Sequence, residues 1–291
     1  MNLEYNGIKL IESNFKVIKS IEDSLGRPIP YFNFYPNYAD ITTAFYAKDE
    51  EIIHLTLKNS LDLKVKSFPE EILNLNQLEY LSLIDIPMKQ LPQELFVLKN
   101  LKVLYLEGCE FEGYPEVINK IENLEDLTLK NCTLTEIPST IKKVNKLKYL
   151  NLDINYLVQL PEDITKLTEL RILSLILNQL VELPRSIGVL SKIKEIYLSR
   201  NNLKGLPESI GHLKELRELY IEENTLESLP DTIGNLIKLR MLDLTSNNLK
   251  KLPASMINLE SLEGLNIEEN NFNHNDETIK RLKMIGVSVN T

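Results

Sequence analysis

The fold of this chain is decided by residues 147–169, LKYLNLDINYLVQLPEDITKLTE, and by residues 170–192, LRILSLILNQLVELPRSIGVLSK. The two segments align without a gap, and prolines extend the same 23-residue interval from Pro69 to Pro253. The common pattern is LxxLxLxxNxLxxLPxxIxxLxx, and its copies with full spacing begin between Leu78 and Leu262. A fixed period of this length indicates a repeat architecture.

Each half of the unit has its own physical meaning. The LxL alternation predicts a short strand with one buried face, because successive side chains of a strand point to opposite sides. The LPxxIxxL half has apolar residues three apart, which suits an extended turn followed by a 3-10 or short helix. Because one unit cannot bury its own leucines, neighbouring units must stack on it. We therefore expect an α/β fold, a right-handed horseshoe solenoid with a parallel concave sheet and 3-10 or short helices on the convex side.

The ninth position of the repeat predicts a ladder of side-chain amides. A buried amide both donates and accepts hydrogen bonds, so it can satisfy main-chain groups where the strand bends away. Cys109 and Cys132 fill this position in two earlier repeats, where a thiol is a weaker substitute, and Ile86 fills it once without any hydrogen-bonding capacity. Asparagine fills it in the later repeats, at Asn155, Asn178, Asn201, Asn224, Asn247 and Asn270.

These motifs resemble the 23-residue leucine-rich-repeat family with an LPxxIxxL back half. This is the type found in Ras-suppressor, Scribble and Erbin-like proteins and in plant intracellular Ras-group proteins. The resemblance covers residues 52–273. It implies protein binding, with small GTPases and phosphatases as familiar partners of relatives.

The ends of a solenoid expose its core unless they are capped. Residues 1–51 are predicted to form an N-terminal cap, with a helix over 8–25 that buries one face, a stop at Gly26 and an aromatic stretch over 29–47. A hairpin is expected from Phe45 to Leu57, and a bulge near 58–66, because the first repeat reaches its proline three residues late. The buried face of the helix would carry Ile8, Ile11, Phe15, Ile18, Ile21 and Leu25. A second interpretation makes this helix a partner-binding arm.

The repeats are expected over 52–273, followed by a C-terminal cap over 274–291. Its helix should run from Asp276 to Ile285, with Ile279, Leu282 and Ile285 facing inward. An open parallel sheet edge promotes aggregation, so residues 287–289 are expected to close it.

Composition excludes several classes of partner. The 291 residues carry a formal net charge of −9, whereas binding to nucleic acid or to an anionic membrane depends on Lys and Arg. No apolar run approaches the ~18 residues of a membrane span, and the N-terminus lacks the layout of a signal peptide. We expect a cytoplasmic protein that binds neither nucleic acid nor membrane, in which the two cysteines stay reduced.

The sequence contains no motif for phosphate, metal or nucleophilic chemistry. His54, His212 and His274 lie far apart in the repeat frame, and His212 is expected at the surface. Paired carboxylates can perform acid–base chemistry when burial separates their pKa values, but an open sheet face buries little. We therefore predict no enzyme activity, no cofactor and no metal, and interpret the acidic cluster as a rim for a basic partner: Glu222, Glu223, Asp243, Glu268 and Glu269.

The third, fifth, seventh and eighth positions of each repeat should point out of the concave face. Solvent favours polar residues there, yet several are large and apolar, including Tyr80, Ile84 and Val103. In two adjacent repeats such residues are expected to form one exposed apolar group at the centre of a binding site, because neighbouring strands lie ~4.8 Å apart. The six residues of this group are Tyr149, Ile154, Tyr156, Ile172, Ile176 and Leu177. We predict that the following residues bind a partner: Tyr105, Tyr149, Ile154, Tyr156, Ile172, Ile176, Leu177, Tyr197, Arg200, Tyr220 and Glu222.

The function expected from the sequence is an intracellular protein-binding adaptor or regulator that acts as a monomer. One alternative is a structural homodimer through the same face. Another is a sensor of a small or polymeric ligand such as a glycan, because Tyr197, Tyr220 and Glu222 combine stacking rings with a carboxylate.

Overall fold

The computed structural model describes residues 2–32, 43–59, 67–272 and 276–291. The chain divides into two compact units, Met1–Thr133 and Leu134–Thr291. His274 and most of the aromatic stretch lie outside the described residues, as does the main part of the expected bulge near 58–66.

The described residues of the first unit form two hairpins, one helix and a parallel sheet with short 3-10 segments. Its parallel strands are in register, so Leu55, Leu81, Leu104 and Leu127 stack as a buried row. Each repeat then enters a short 3-10 segment, such as Gln93–Val97 after its Leu-Pro pair. The regular elements are β1 (Asn2–Tyr5), β2 (Ile8–Ile11), α1 (Glu12–Leu25), β3 (Ala44–Lys48), β4 (Glu51–Lys58), β5 (Tyr80–Ile84), β6 (Val103–Glu107) and β7 (Asp126–Lys130).

The predicted helix over 8–25 is too long by four residues. Residues 8–11 instead form β2, which pairs antiparallel with β1. The cause is the Asn6-Gly7 pair, which has φ angles of 48° and 85° and so makes the tight turn that joins two strands. The predicted end of the helix at Gly26 is confirmed. This residue adopts φ 68°, and its N–H donates a hydrogen bond to Glu22 O at 2.7 Å.

Helix α1 is anchored to β4 and to the 3-10 segment Glu70–Asn74. The Asn14 side chain accepts a hydrogen bond from Ile52 N at 2.7 Å, and Ser20 Oγ donates to Glu71 at 2.8 Å. Its buried apolar face is formed by Val17, Ile18, Ile21 and Leu25, whereas Phe15 is only half-buried. These contacts favour the cap over the partner-binding arm, and we propose the cap.

The hairpin expected from Phe45 to Leu57 is confirmed as β3 and β4. Asp49 and Glu50 form its turn with φ angles of 50° and 69°. Strand β4 also pairs in parallel with β5, so the hairpin joins the first full repeat to the sheet.

The second unit contains the later repeats and the C-terminal cap. Its strands pair in parallel and in register, so the central leucine or isoleucine of each stacks on the next, as in Leu150, Leu173 and Ile196. The 3-10 segments follow the same 23-residue interval, for example Glu162–Lys166 and Glu208–His212. The strands and helix are β8 (Tyr149–Asn151), β9 (Ile172–Ser174), β10 (Glu195–Tyr197), β11 (Glu218–Tyr220), β12 (Met241–Asp243), β13 (Gly264–Asn266), α2 (Glu277–Met284) and β14 (Ser288–Asn290). The predicted repeat solenoid is confirmed.

The elements of the C-terminal cap agree with the prediction, but two of the three side chains expected inward do not, since Ile279 is only half-buried and Ile285 is exposed. Asp276 caps α2 by accepting from Ile279 N at 3.0 Å, Leu282 is buried, and β14 closes the sheet edge beside β13. Ile285, expected to face inward, is 61% exposed. The helix ends at Met284 and the chain turns at Gly286, so Val287 is the buried residue instead.

The amide ladder is confirmed in the second unit. The Asn201 Oδ1 atom accepts from Leu180 N in the preceding repeat at 2.9 Å. Its Nδ2 atom donates to Leu175 O at 2.9 Å and to Leu198 O at 3.0 Å. One side chain thus satisfies main-chain groups of two successive turns. The same accepting bond is made by Asn155, Asn178, Asn224, Asn247 and Asn270.

The two cysteines fill the equivalent places in the first unit as buried free thiols. Cys132 Sγ lies 3.5 Å from Leu106 O and 3.3 Å from Lys130 O, which are the carbonyls that an asparagine amide would reach. The pKa of the Cys109 thiol is raised by its hydrogen bond with Cys132 and by burial, so this sulfur stays protonated and unreactive.

Three residues expected to point into solvent, Tyr80, Ile84 and Val103, are buried. Tyr80 stacks on His54 with ring centroids 3.8 Å apart, and His54 Nε2 lies 3.1 Å from Thr56 Oγ1. The outward side of the sheet is therefore covered at these positions rather than open to solvent.

We predict that Asn201→Ala lowers the free energy of unfolding by about 1–3 kcal/mol, because it leaves buried main-chain groups without partners. Urea denaturation measures the change. The matched control is Asn202→Ala, which removes an exposed amide at the next position. Equal stability of the two variants would contradict the structural role of the ladder.

We predict that the first unit loses stability in mild acid through His54. Burial lowers the pKa of His54 from 6.5 to about 4, so the folded state holds the neutral ring. The contribution of the neutral His54 ring to the free energy of unfolding is complete above pH 6.5 and is lost as the pH falls toward 4. Between pH 7 and pH 5 the wild type should lose about 2 kcal/mol more than His54→Gln. Urea melts at both pH values test this, and parallel losses would contradict it.

Candidate functional site

On the outward-pointing side of the strands in the second unit, an apolar group of residues lies on two adjacent repeats. Tyr149 on β8 is in register with Ile172 on β9. In the following turns, Ile154 N donates to Ile176 O at 2.8 Å. We call these residues, with Tyr156 and Leu177, the apolar patch. The structure thus brings together the six residues that the sequence assigned to the centre of the site.

Members of the apolar patch remain accessible to solvent. Ile154, Tyr156 and Leu177 are 39%, 54% and 40% exposed, whereas Tyr149, Ile172 and Ile176 are half-buried. The patch extends beyond the prediction to two exposed residues at the twelfth repeat position, Val158 and Val181, whose main chains are bonded at 3.2 Å. Neither valine was predicted to belong to the site, because the twelfth position lies beyond the strand and the turn that follows it. The period itself places both at the same position in adjacent repeats.

A buried polar network holds the patch in place. Asp153 Oδ1 accepts from Ser174 Oγ at 2.6 Å and from Ile176 N at 2.8 Å. Its other oxygen accepts from Asn151 Nδ2 at 2.9 Å. Because these bonds fix the ends of both strands, the apolar side chains above them are held on a rigid support.

The eighth position of each repeat with full spacing, from Asp85 to Glu269, adopts left-handed backbone geometry. In the first unit it is occupied by Asp85, Gly108 and Asn131, which tolerate this geometry. In the second unit it begins with Ile154 and Leu177, both at φ 57°. A β-branched residue is a steric outlier there, and strain of this kind concentrates at functional sites.

An aromatic pair adjoins the apolar patch. Tyr197 and Tyr220 stack with centroids 5.2 Å apart, and their hydroxyls donate to Glu195 at 2.8 Å and Glu218 at 3.2 Å. Burial raises the pKa of both phenols and the neighbouring carboxylates raise it further, so the rings stay neutral donors. Both rings are half-buried and keep part of their surface accessible.

Three predicted site residues belong neither to the apolar patch nor to the tyrosine pair. Arg200 is exposed and pairs with Glu223 at 2.8 Å, and Glu222 is half-buried. Tyr105 lies in the first unit, where its hydroxyl donates to Glu107, which in turn pairs with Lys130 at 3.0 Å. Tyr105 therefore stays a separate prediction.

The described residues contain no group of His, Cys, Asp and Glu that could hold a metal ion. Within the acidic cluster, Asp243 accepts hydrogen bonds from Thr245 N at 3.0 Å and Asn266 Nδ2 at 2.7 Å. His212 is exposed, as expected. Among the residues that the structure describes, no helix has both the length and the apolar character that crossing a membrane requires.

Comparison with known families identifies the repeat. The family described as a leucine-rich repeat region matches residues 127–225, and the leucine-rich repeat family matches residues 214–272. No curated protein matches the chain.

Solved structures with a similar fold include plant receptors. The leucine-rich-repeat ectodomain of the membrane receptor kinase GASSHO1/SCHENGEN3 from Arabidopsis thaliana, in complex with CASPARIAN STRIP INTEGRITY FACTOR 2, is 27% identical over 75% of this chain, with a TM-score of 0.64. The plant peptide hormone receptor RGFR1 in complex with RGF2 is 25% identical over 82%, with a TM-score of 0.62. The PEPR1–AtPEP1 complex is 25% identical over 90%, with a TM-score of 0.60. This chain spans 30%, 44% and 46% of those chains, respectively.

The 23-residue period, the stacked parallel strands with their amide ladder, and the matches to known repeats agree with one another. This chain is a leucine-rich-repeat protein.

Proposed function

We propose that this protein is an intracellular protein-binding adaptor or regulator that holds its partner on the concave side of the sheet in the second unit. The observation that carries the proposal is the apolar patch, where Ile154, Tyr156 and Leu177 are exposed on neighbouring turns. Exposed apolar groups of this kind mark interaction sites. The stacked tyrosines and Arg200 beside the patch, followed by carboxylates, match the usual order of apolar centre and polar rim.

The geometry of Ile154 supports the same proposal. Its left-handed backbone costs about 1–3 kcal/mol in a non-glycine residue. Asparagine or glycine would relieve that cost, as Asn131 and Gly108 show in the first unit. Retention of an exposed isoleucine at a strained position is explained if the side chain contacts a partner.

The class of partner follows from resemblance. The LPxxIxxL type of repeat favours a cytoplasmic role with a small GTPase or a phosphatase as partner, and the two buried free thiols are consistent with a reducing compartment. One of the similar structures is a plant peptide hormone receptor, RGFR1, in complex with RGF2, which favours recognition of a peptide segment of the partner. We propose binding without catalysis, by a monomer.

We predict that Leu177→Glu abolishes partner binding and leaves the fold intact. Glutamate already occupies the same left-handed position at Glu223 and Glu269, so the backbone accepts it. Ile176 is a poorer choice, because a new carboxylate would lie beside buried Asp153. Loss of an interface centre should cost ~2 kcal/mol or more in affinity. The measurement is affinity capture from the source organism with mass spectrometry, followed by titration of the captured protein.

The matched control for this experiment is Val189→Glu. Val189 is an equally exposed apolar residue on a 3-10 segment, Ile187–Val189, away from the strands. Full binding by both variants would show that the patch is not the site. Light scattering of the wild type at micromolar concentration separates the homodimer: a dimer that Leu177→Glu dissociates would mean that a second copy occupies the face.

We also predict that Ile154→Leu raises the free energy of unfolding by about 0.5–1 kcal/mol. Leucine keeps the apolar volume and removes the branch at Cβ that crowds a left-handed backbone. Leu177 shows that leucine fits the position at the same φ of 57°. Ile176→Leu, which is not at such a position, is the control in thermal and urea melts. If both variants have the same stability, the strain at Ile154 is not significant.

A further inference from the structure

A buried hydroxyl on the outward-pointing side of the strands in the second unit lacks a hydrogen-bond partner. Ser199 is 4% exposed, and its Oγ atom bonds to no group within the described part of the chain. The same is true of Glu222 Oε2, one repeat further on. Buried polar atoms without partners are rare in native structures and call for an explanation.

Ser199 and Glu222 occupy the seventh position of consecutive repeats, beside the apolar patch. Leu177 N donates to Ser199 O at 3.0 Å, and Arg200 N donates to Glu222 O at 2.9 Å. The order across the face is therefore Leu177, Ser199 and Glu222. The stacked rings of Tyr197 and Tyr220 belong to the same two repeats as the unpartnered atoms.

The surrounding charge is strongly negative. In the repeats that begin at Ile193, Leu216, Leu239 and Leu262, the one cation at the outward positions is Arg200, and Glu223 already neutralises it. The carboxylates at those positions are Glu195, Glu218, Glu222, Glu223, Asp243, Glu268 and Glu269. Such a surface attracts a cationic group and repels an anionic one.

This inference rests on the function proposed above. We propose that the partner presents an extended segment with a large apolar side chain followed by a Lys or Arg. The apolar side chain packs on the patch at Leu177. The cationic side chain lies over the tyrosine pair, where the ring faces attract it, and its N–H groups donate to Ser199 Oγ and Glu222 Oε2.

The spacing of the two partner side chains follows from strand geometry. Leu177 and Glu222 are two repeats apart, which corresponds to ~10 Å across parallel strands. An extended segment advances ~3.3 Å per residue. The apolar and basic residues should therefore be about two to four positions apart.

The experiment is a selection of random peptides displayed on phage against the immobilised full chain. We expect enriched sequences with a large apolar residue and a Lys or Arg two to four positions later. Synthetic versions of those peptides should bind about tenfold more weakly to Glu222→Gln, with a steeper loss at high salt for wild type than for the variant. Glu227→Gln removes an exposed carboxylate beyond the strand end and serves as the matched control.

The variants distinguish failure of this inference from failure of the proposed function. Selected peptides that depend on Leu177 but show no preference for Lys or Arg, or that bind Glu222→Gln at full strength, would overturn the inference alone. A selection that yields no peptide sensitive to Leu177→Glu would contradict the proposed function as well.

Discussion

Each repeat of the second unit depends on the hydrogen bonds of one buried amide. A short parallel strand satisfies its own main-chain groups, but the bend that follows it leaves N–H and C=O groups that no strand can reach. Asn178, for example, accepts from Leu157 N at 3.1 Å and donates to Leu152 O at 2.9 Å and Leu175 O at 3.1 Å. Because each amide joins its own turn to the preceding one, the repeats are stabilised in pairs, as in a one-dimensional array.

The turn that contains the ladder position is also where the backbone is strained. The residue just before each ladder asparagine is the one with left-handed geometry, as in Ile154 before Asn155 and Leu177 before Asn178. The turn that directs the amide inward leaves this preceding side chain at the surface. The repeated turn therefore creates a row of outward-facing positions, and the apolar patch occupies two of them, Ile154 and Leu177.

The two units use this arrangement differently. Where the ninth position is Cys109 or Cys132, the residue before it is Gly108 or Asn131, which adopts left-handed geometry at little cost. Where the ladder has asparagine, the preceding position carries isoleucine, leucine, arginine, glutamate or serine. We interpret this as a balance: strong hydrogen bonding in the second unit offsets the strain of residues that are suited to contact a partner.

The sequence by itself determined the period, the strands, the ladder and the row of outward positions, because each depends on local spacing that repeats along the chain. It also placed the six central residues of the patch together, since register follows from the period. Tertiary structure decided what depends on contacts outside that period. The Asn6-Gly7 turn makes a strand of residues that have helical spacing, Tyr80 is buried under His54, and Ile285 is exposed because the chain turns at Gly286. Ser199 illustrates both points. Its place at the seventh repeat position follows from the period, whereas the absence of a hydrogen-bond partner for its Oγ atom depends on the groups packed around it.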